Sequence, residues 1–229
     1  MDIVYYGILL LNLVLLVYLG FRAVPLILVG LASGQIRGRF LDQAESDQII
    51  AESASAQARL AELKAEGFTL LGIMAEKPWW QRAVLEVVTT SVEKSTFAGL
   101  VLTPSRKVAG LYFYTPLVDG GLVFTRSRSS LPEVENENTS VKNVPGGGTD
   151  KLWASHRRRL QALRERGQRP LPVGDQAARL AATRAYYTSA YAQRVRRAIL
   201  RSSQVVNFLL VLGLLVAIIV IYIVRAPVK

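Results

Sequence analysis

The sequence predicts an α+β membrane protein, in which two transmembrane helices flank a soluble domain with an antiparallel meander sheet packed by helices. Three observations indicate this class: an uncharged apolar segment near each end of the chain, and a series of short β-rich runs between them. The chain has 229 residues, 51% hydrophobic content and a net charge of +11. This composition is too apolar for a disordered chain and leaves about 165 residues for one soluble domain.

The C-terminal apolar segment covers residues 205–224 and contains no charged side chain, with Asn207 as its one strongly polar residue. As a helix it would be about 30 Å long, which is the thickness of the hydrocarbon core of a bilayer. We therefore predict a transmembrane helix over residues 204–225.

The N-terminal apolar segment, residues 3–21, follows Asp2 and is also uncharged. It lacks the basic start and the small-residue cleavage site of a signal peptide, so we expect a retained anchor. The next apolar piece, 23–32, contains Pro25 and is too short to span a bilayer by itself. It either lies in the membrane interface or extends a tilted first helix, so residues 1–33 are predicted as a transmembrane helix plus an interfacial segment.

The distribution of arginines next to the two spans predicts the orientation. The outer flanks hold only Arg225 and Lys229. The inner flanks hold seven arginines, which we expect to contact anionic lipid headgroups: Arg22, Arg37, Arg39, Arg194, Arg196, Arg197 and Arg201. The positive-inside rule then predicts an inner (cytoplasmic) membrane protein of two spans, with a cytoplasmic central domain, 34–203, and both termini outside.

The first element of the central domain is predicted as an amphipathic helix over 41–66, which ends at Gly67. Acidic residues predominate on its outer face. They either pack across the basic helices further along the chain or are simply solvated. The apolar stripe that we expect to be buried consists of Ile49, Ala56, Leu60 and Leu63.

The segment 69–144 contains the β-rich runs. Turn signals at 104–107 and 119–121 have the lengths that join neighbouring antiparallel strands, so we expect a meander of five or six strands. Trp79 and Trp80, between the first two runs, could close the core, enter the membrane interface or stack on a ligand. The predicted strands are 69–75, 84–90, 97–103, 108–115, 122–125 and, as a sixth candidate, 139–144.

Helices follow the β-rich region. Residues 127–150 are polar and include three consecutive glycines, which favours a mobile loop. Asp150 is predicted to cap a basic helix, 150–166, that presents Arg157 and Arg158 outwards as candidate partner contacts. Asp175 is predicted to cap a last helix, 176–203, which can continue without a break into the second span because no proline or glycine interrupts it.

The sequence offers few candidates for chemistry. His156 is the only histidine and lies beside the buried stripe of its helix, where a hydrogen-bonded structural role or the orientation of a partner group are the alternatives. The chain has no cysteine, and the glycines at 146–148 do not have the Walker spacing. Glu133 and Glu135 lie in the polar loop, where burial would not raise a pKa. We therefore predict no catalytic residue, no metal and no cofactor.

One set of short motifs resembles a known group of proteins. An acidic helix comes first, then Gly67-Phe68 and Leu71-Gly72, then Asp119-Gly120 with Phe124-Thr125, and finally a basic helix carrying Leu152, His156 and Leu160. This order is similar to that of uncharacterised bacterial membrane-anchored α+β domain proteins, over residues 41–167. The resemblance implies an architecture and no catalytic residue or cofactor.

The first functional hypothesis is a non-enzymatic accessory or assembly subunit of a larger membrane complex. Its partners would be anionic lipids and a membrane protein or a second copy of the chain, and its contacts would include Trp79, Trp80, His156, Arg157 and Arg158. The alternative is a membrane-tethered module that binds a lipid or small ligand on the concave face of the sheet, with Trp79, Trp80, Tyr112 and Tyr114. A hydrolytic or transfer enzyme built around His156 is a further alternative. The arginines lie so close to a span that we expect no nucleic acid partner.

Overall fold

The computed structural model describes residues 2–31, 37–77, 83–127 and 132–225. The chain divides into two compact units. The sheet unit is Gly34–Ala192, and the helical unit consists of Met1–Ser33 with Gln193–Lys229.

The helical unit contains two long helices, α1 (Asp2–Leu31) and α7 (Ser203–Arg225), which pack on each other. A Cβ atom on Gly20 of α1 would lie 3.4 Å from the ring of Phe208 of α7, and Ala23 is fully buried. The apolar stretches Tyr6–Leu28 and Ser203–Ile221 are long enough to cross a membrane. Helix α1 continues through Pro25, so the apolar piece at 23–31 extends the first helix.

The predicted unbroken helix from 176 into the second span is wrong. The structure has three helices there, α5 (Gln176–Thr188), α6 (Ala190–Leu200) and α7. Ser189 is extended, and its hydroxyl donates to Tyr186 O at 2.6 Å and accepts from Ala192 N at 3.1 Å. The serine therefore ends one helix and begins the next, because its side chain replaces the backbone hydrogen bonds of a continuous helix.

The sheet unit contains an eight-stranded sheet in the order β1-β2-β3-β4-β5-β6-β8-β7. The central meander, β2 to β6, confirms the five predicted runs, and β8 confirms the sixth candidate strand. The strands are β1 (Arg37–Phe40), β2 (Phe68–Lys77), β3 (Val84–Ser91), β4 (Phe97–Leu102), β5 (Val108–Pro116), β6 (Leu122–Arg126), β7 (Val134–Glu135) and β8 (Thr139–Asn143).

The sheet is mixed, so the prediction of an entirely antiparallel sheet is wrong. Strand β8 pairs with β6 in parallel, with Leu122 opposite Thr139. The connection from β6 to β8 covers 127–138, which is the length that a parallel connection requires, whereas the other predicted turns are short hairpins. Part of the segment predicted as a mobile loop thus forms the sheet edge, as β7 and β8.

The predicted helix 41–66 is two helices, α2 (Gln43–Ala51) and α3 (Ala54–Ala65). The hydroxyl of Ser53 accepts from Ala56 N at 3.2 Å and begins the second of them. Gly67, with φ +85°, ends α3 as predicted. The predicted stripe is confirmed, since Ile49, Ala56 and Leu63 are buried and Leu60 packs on the same core.

The basic helix α4 (Thr149–Glu165) begins one residue earlier than predicted. Gly148 occupies the N-cap position and Asp150 lies in the first turn, so Asp150 does not cap the helix. Thr149 instead donates its hydroxyl hydrogen to Glu62 of α3 at 2.5 Å. The acidic and basic helices therefore pack together. Asp175 caps α5 as predicted, because its carboxylate accepts from Ala178 N at 2.7 Å.

Alternation along the strands gives the sheet two faces. The α3/α4 face carries Ile73, Val87, Leu100, Phe113 and Thr125 and is covered by α3 and α4. The α5 face is covered by α5, where Tyr114 donates to Ala182 O at 3.2 Å. The α5 face carries Met74, Glu76, Glu86, Gly99, Tyr112, Tyr114, Phe124 and Arg126.

Candidate functional site

A cavity of about 260 Å³ lies between the α5 face and α5, wholly within the sheet unit. Its inner wall is aromatic, and Val84, Val101 and Ala109 form a partly exposed rim. The polar and aromatic lining residues are Glu76, Glu86, Tyr112, Tyr114, Phe124, Arg126, Ser127, Arg179, Thr183, Tyr186 and Tyr187. A mostly apolar concavity with a few convergent polar groups is typical of a small-molecule site.

Arg179 of α5 is the centre of a buried polar cluster. Its Nη2 donates to Glu86 Oε1 at 2.9 Å and to the hydroxyl of Tyr112 at 2.6 Å, and its Nη1 donates to Thr183 Oγ1 at 2.5 Å. Tyr112 in turn donates to Glu86. Burial raises the pKa of Tyr112, so its hydroxyl remains a neutral donor. Arg179, Glu86 and Tyr112 are thus hydrogen-bonded to one another, while Nε of Arg179 is buried without a partner among the described residues.

A second carboxyl group, Glu76, lies diagonally across the β2–β3 pair, because Met74 is the residue opposite Glu86. Tyr187 donates to Glu76 Oε2 at 2.8 Å. Burial of the carboxyl group, with the charge of Glu86 added, raises the pKa of Glu76 to about 7, although Arg179 opposes this shift. Near neutral pH, Glu76 therefore exchanges a proton while Glu86 stays paired with Arg179.

Gly99 makes this cluster possible. Tyr112 belongs to β5 and Glu86 to β3, and β4 runs between them, with Gly99 opposite both Val88 and Tyr112. A Cβ atom on Gly99 would lie 2.5 Å from Glu86 Oε1 and closer still to the ring of Tyr112. Only glycine leaves room for the tyrosine to reach across the middle strand.

Arg126 lies at the end of β6 and is 7% exposed. Its Nε donates to Asn143 Oδ1 at 2.6 Å, and its Cζ lies 5.6 Å from the centre of the Phe124 ring. Among the described residues, Nη2 of Arg126 is buried without a hydrogen-bond partner, and no carboxylate forms an ion pair with this arginine. An unpaired donor on a buried charge is costly, and Arg126 has one in the cavity wall although its side chain also contacts Tyr191.

His156 lies on the opposite face of the sheet and is fully buried. Each ring nitrogen pairs with a threonine hydroxyl at 2.9 Å, Nε2 with Thr115 and Nδ1 with Thr125. Burial, with the charge of Arg159 added, lowers the pKa of His156 to about 3. The ring is therefore neutral and hydrogen-bonded on both sides, which corresponds to the structural role among the sequence-based alternatives.

Arg157 and Arg158 are exposed on α4 and line a broad groove of about 640 Å³ with Trp153. The guanidinium of Arg157 lies 5.6 Å from the centre of the Trp153 ring. The groove lies on the α3/α4 side of the sheet, whereas the cavity lies on the α5 face. Trp79 and Trp80 lie outside the described residues, whereas Tyr112 and Tyr114, the other two residues of the predicted ligand face, both line the cavity.

The predicted headgroup-contacting arginines belong to both units. Arg22 lies on α1, where its guanidinium is 5.0 Å from the centre of the Tyr18 ring, and Arg37 and Arg39 lie on β1. Helix α6 carries Arg194, Arg196 and Arg197, and Arg201 directly follows this helix. Their contact with lipid stays a prediction.

Sequence reasoning missed Glu76, Glu86, Arg126 and Arg179. Two of them carried a signal, because Glu86 interrupts an apolar β-rich run and Arg126 follows another. Arg179 had no such signal, since an arginine in an alanine-rich helix is normally solvated. Among the described residues, no cluster of three or more histidine, cysteine or acidic side chains has the arrangement of a metal site.

Comparison of the chain with known protein families, with curated proteins and with solved structures finds no match. The resemblance to membrane-anchored α+β domain proteins therefore stays a prediction. Function has to be argued from the cavity and its residues.

Proposed function

We propose that this chain is a two-span membrane protein whose sheet unit binds a small, largely apolar ligand in the cavity on the α5 face. One observation carries the proposal, the 260 Å³ cavity with aromatic walls and converging buried polar groups. Ligand sites commonly measure about 300–1,000 Å³, so the expected ligand is small, with one or two rings or an equivalent branched chain. This is the alternative function that the sequence left open.

The membrane part of the proposal rests on the exposed surface of α1 and α7. Leu11, Phe21 and Leu210 are 69%, 81% and 66% exposed, and they are representative of both helices. Exposed apolar surface of this extent is unfavourable in water and favourable in lipid. The arginine distribution supports a cytoplasmic location for the sheet unit.

Binding is favoured over catalysis by how the cavity groups are paired. Glu86, Tyr112 and Arg179 are hydrogen-bonded to one another, and this arrangement holds side chains in fixed positions around a space. Fixed polar groups orient a ligand without an ordering cost on binding. The accessory-subunit hypothesis stays a prediction, and a binding module could also serve inside a larger complex.

The test uses the full chain in lipid nanodiscs and isothermal titration calorimetry with 2-naphthol, an uncharged two-ring probe. Ala109→Trp fills the rim of the cavity, and Val118→Trp makes a comparable change in an exposed turn that does not line it. We expect saturable one-site binding to the wild type and to Val118→Trp, and at least about tenfold weaker binding to Ala109→Trp.

Native mass spectrometry of the gently extracted chain provides the second readout. A small molecule that accompanies the wild type but not Ala109→Trp supports the proposal. If no probe binds and no small molecule accompanies the wild-type chain, the binding function is wrong. A stoichiometric membrane protein found in the same spectra, with an empty cavity, would favour the accessory subunit instead.

A further inference from the structure

We infer that the cavity binds a small aromatic or branched carboxylate, and that the guanidinium of Arg126 pairs with the carboxylate group of this ligand. The inference rests on the proposed binding function and specifies the ligand class of the same site. It follows from the charge balance of the cavity, from an unused donor and from the position of that donor next to the aromatic wall.

The charges of the two acids and two arginines in the wall cancel, and the wall becomes positive when Glu76 takes up a proton. Four charged residues line the cavity, namely Glu76, Glu86, Arg126 and Arg179. Arg179 and Glu86 form an ion pair with N···O at 2.9 Å, and both side chains are buried. This leaves Glu76, which exchanges a proton near neutral pH, as the only acid available to offset Arg126. An anion bound beside Arg126 would complete the balance.

The unused donor is Nη2 of Arg126. This atom is buried and unpaired among the described residues, while Nε on the same guanidinium is held by Asn143. The bond to Asn143 fixes the plane of the guanidinium, and a fixed guanidinium suits a planar carboxylate. Arg179 also has an unpaired buried nitrogen, Nε, in the lining of the same cavity.

The apolar part of the ligand has its own surface next to Arg126. The guanidinium lies 5.6 Å from the centre of the Phe124 ring, and Phe124 in turn lies 5.1 Å from Tyr112 and 5.8 Å from Tyr186, between ring centres. A carboxylate held by Arg126 would therefore have its own ring or branched chain directly against this aromatic group. In an aryl or arylalkyl carboxylate, the charged group is one or two bonds away from the aromatic ring, which matches this arrangement.

The experiment compares three probes that share one ring system and differ in charge: 2-naphthoate, 2-naphthol and 2-(aminomethyl)naphthalene. Binding to the full chain in nanodiscs of uncharged lipid is measured by calorimetry at pH 7. We expect 2-naphthoate to bind at least about tenfold more tightly than 2-naphthol, and the amine to bind least, because a hydrogen bond between two charged groups is stronger than one to a neutral hydroxyl.

Arg126→Gln tests the assigned residue. It should remove the preference for 2-naphthoate, so that the variant binds 2-naphthoate no more tightly than it binds 2-naphthol, and a cooperative thermal unfolding transition shows that the variant is folded. Arg126→Lys should retain part of the preference for the anion, because lysine keeps the charge and loses the planar fork. Arg157→Gln removes an exposed arginine from the other side of the sheet and should change none of the three affinities.

The outcomes separate the two proposals. If 2-naphthol binds as tightly as 2-naphthoate, or the amine binds most tightly, the cavity binds ligands but the carboxylate inference is wrong. If the anion is preferred and Arg126→Gln does not reduce that preference, the assignment to Arg126 is wrong. If no probe binds and no small molecule accompanies the chain, the binding function itself fails, and the inference fails with it.

Discussion

The two faces of the sheet differ in what fills them, although the same strands form both. Along β5, Phe113 and Thr115 point to the α3/α4 face, and Tyr112 and Tyr114 point to the α5 face. The first pair lies in a close-packed core. The second pair borders a cavity and an ion pair.

The difference teaches how one sheet combines a packed core with an open cavity, which is the proposed binding site. On the α3/α4 face, the ring of His156 is neutral and hydrogen-bonded on both sides. Beside it, Arg159 donates to Thr125, and among the described residues its buried Nε has no partner. On the α5 face, buried charges are present in excess of their partners, and the space beside them is open. The first arrangement is expected to dominate stability, and the second is expected to respond to ligand and pH.

The largest effect should follow from opening the packed face. Phe113 is fully buried and lies 5.5 Å from Phe68 and 5.0 Å from Trp153, between ring centres. Phe113→Ala should lower the free energy of unfolding by about 4 kcal/mol, because it leaves a cavity that the surrounding helices cannot fill. Chemical denaturation of the full chain in detergent measures this. A loss below about 1 kcal/mol would mean that this face is not close-packed.

The next effect should follow from breaking the buried ion pair. Arg179→Met leaves the carboxylate of Glu86 without its cation and should cost about 3 kcal/mol, somewhat less than a dry site would lose because the cavity admits water. The double variant Glu86→Gln/Arg179→Met should recover most of this loss. If the double variant is as unstable as Arg179→Met, the two side chains are not energetically coupled.

His156, on the α3/α4 face, should make the free energy of unfolding decrease at acidic pH. Its pKa is about 3 in the folded chain and about 6.5 when exposed, so the unfolded chain binds the additional proton between these values. Stability from this group is complete above pH 6.5 and is lost as the pH falls, by about 2 kcal/mol between pH 6.5 and 5. The stability advantage of the wild type over His156→Gln should shrink by that amount, as denaturation at both pH values would measure. An advantage that does not change would contradict a buried neutral ring.

Glu76, on the α5 face, should make the free energy of unfolding decrease as the pH rises, which is opposite to the effect of His156. Burial and the charge of Glu86 on β3 raise the pKa of Glu76 from the usual 4.5 to about 7, and Arg179 and the hydrogen bond from Tyr187, both on α5, oppose this rise. The folded chain holds the proton more tightly, so this contribution is present below pH 4.5 and is lost as the pH rises through 7. Glu76→Gln should therefore gain about 1–2 kcal/mol relative to the wild type between pH 5 and 8, after allowance for solvent screening of a half-buried group. If the difference in stability between Glu76→Gln and the wild type does not change between pH 5 and 8, the carboxyl group of Glu76 is exposed to water.

The smallest effect is expected outside both faces. Arg157→Ala removes an exposed side chain that lies over Trp153, and it should change the free energy of unfolding by no more than about 0.5 kcal/mol. Thermal unfolding of Arg157→Ala, measured in parallel with Phe113→Ala, compares the two losses of stability directly. A loss of several kcal/mol in the free energy of unfolding would show that Arg157 stabilises the fold.

The sequence was informative wherever a local rule determines the element. Alternating β-rich runs predicted the meander, and Gly67 and Asp175 predicted where helices end and begin, because capping depends on one residue and its neighbours. The helix breaks at Ser53 and Ser189 were missed, since serine is tolerated inside a helix and caps only in certain tertiary contexts.

The cavity on the α5 face was much less predictable from the sequence. The sequence proposed Tyr112 and Tyr114 for a ligand face, but it could not identify Glu76, Glu86, Arg126 and Arg179 as a group, because strand order and the docking of α5 bring them together. The parallel pairing of β8 was missed for the same reason. It depends on where a connection returns, and hydrophobic alternation does not contain this information.

The edges of the sheet affect how such chains can coexist at high density. The outer strands, β1 and β7, have four and two residues, and β2 carries an irregularity at Gly72, with φ +131°, just beyond the pairing with β1. Short edges and bulges offer few consecutive free amide groups to a neighbouring chain, and they protect a sheet against edge-to-edge aggregation. Proteins anchored in one bilayer diffuse in two dimensions and collide often in similar orientations. For the two-span membrane protein proposed above, blunt edges would allow many copies to crowd in one bilayer and remain individually folded.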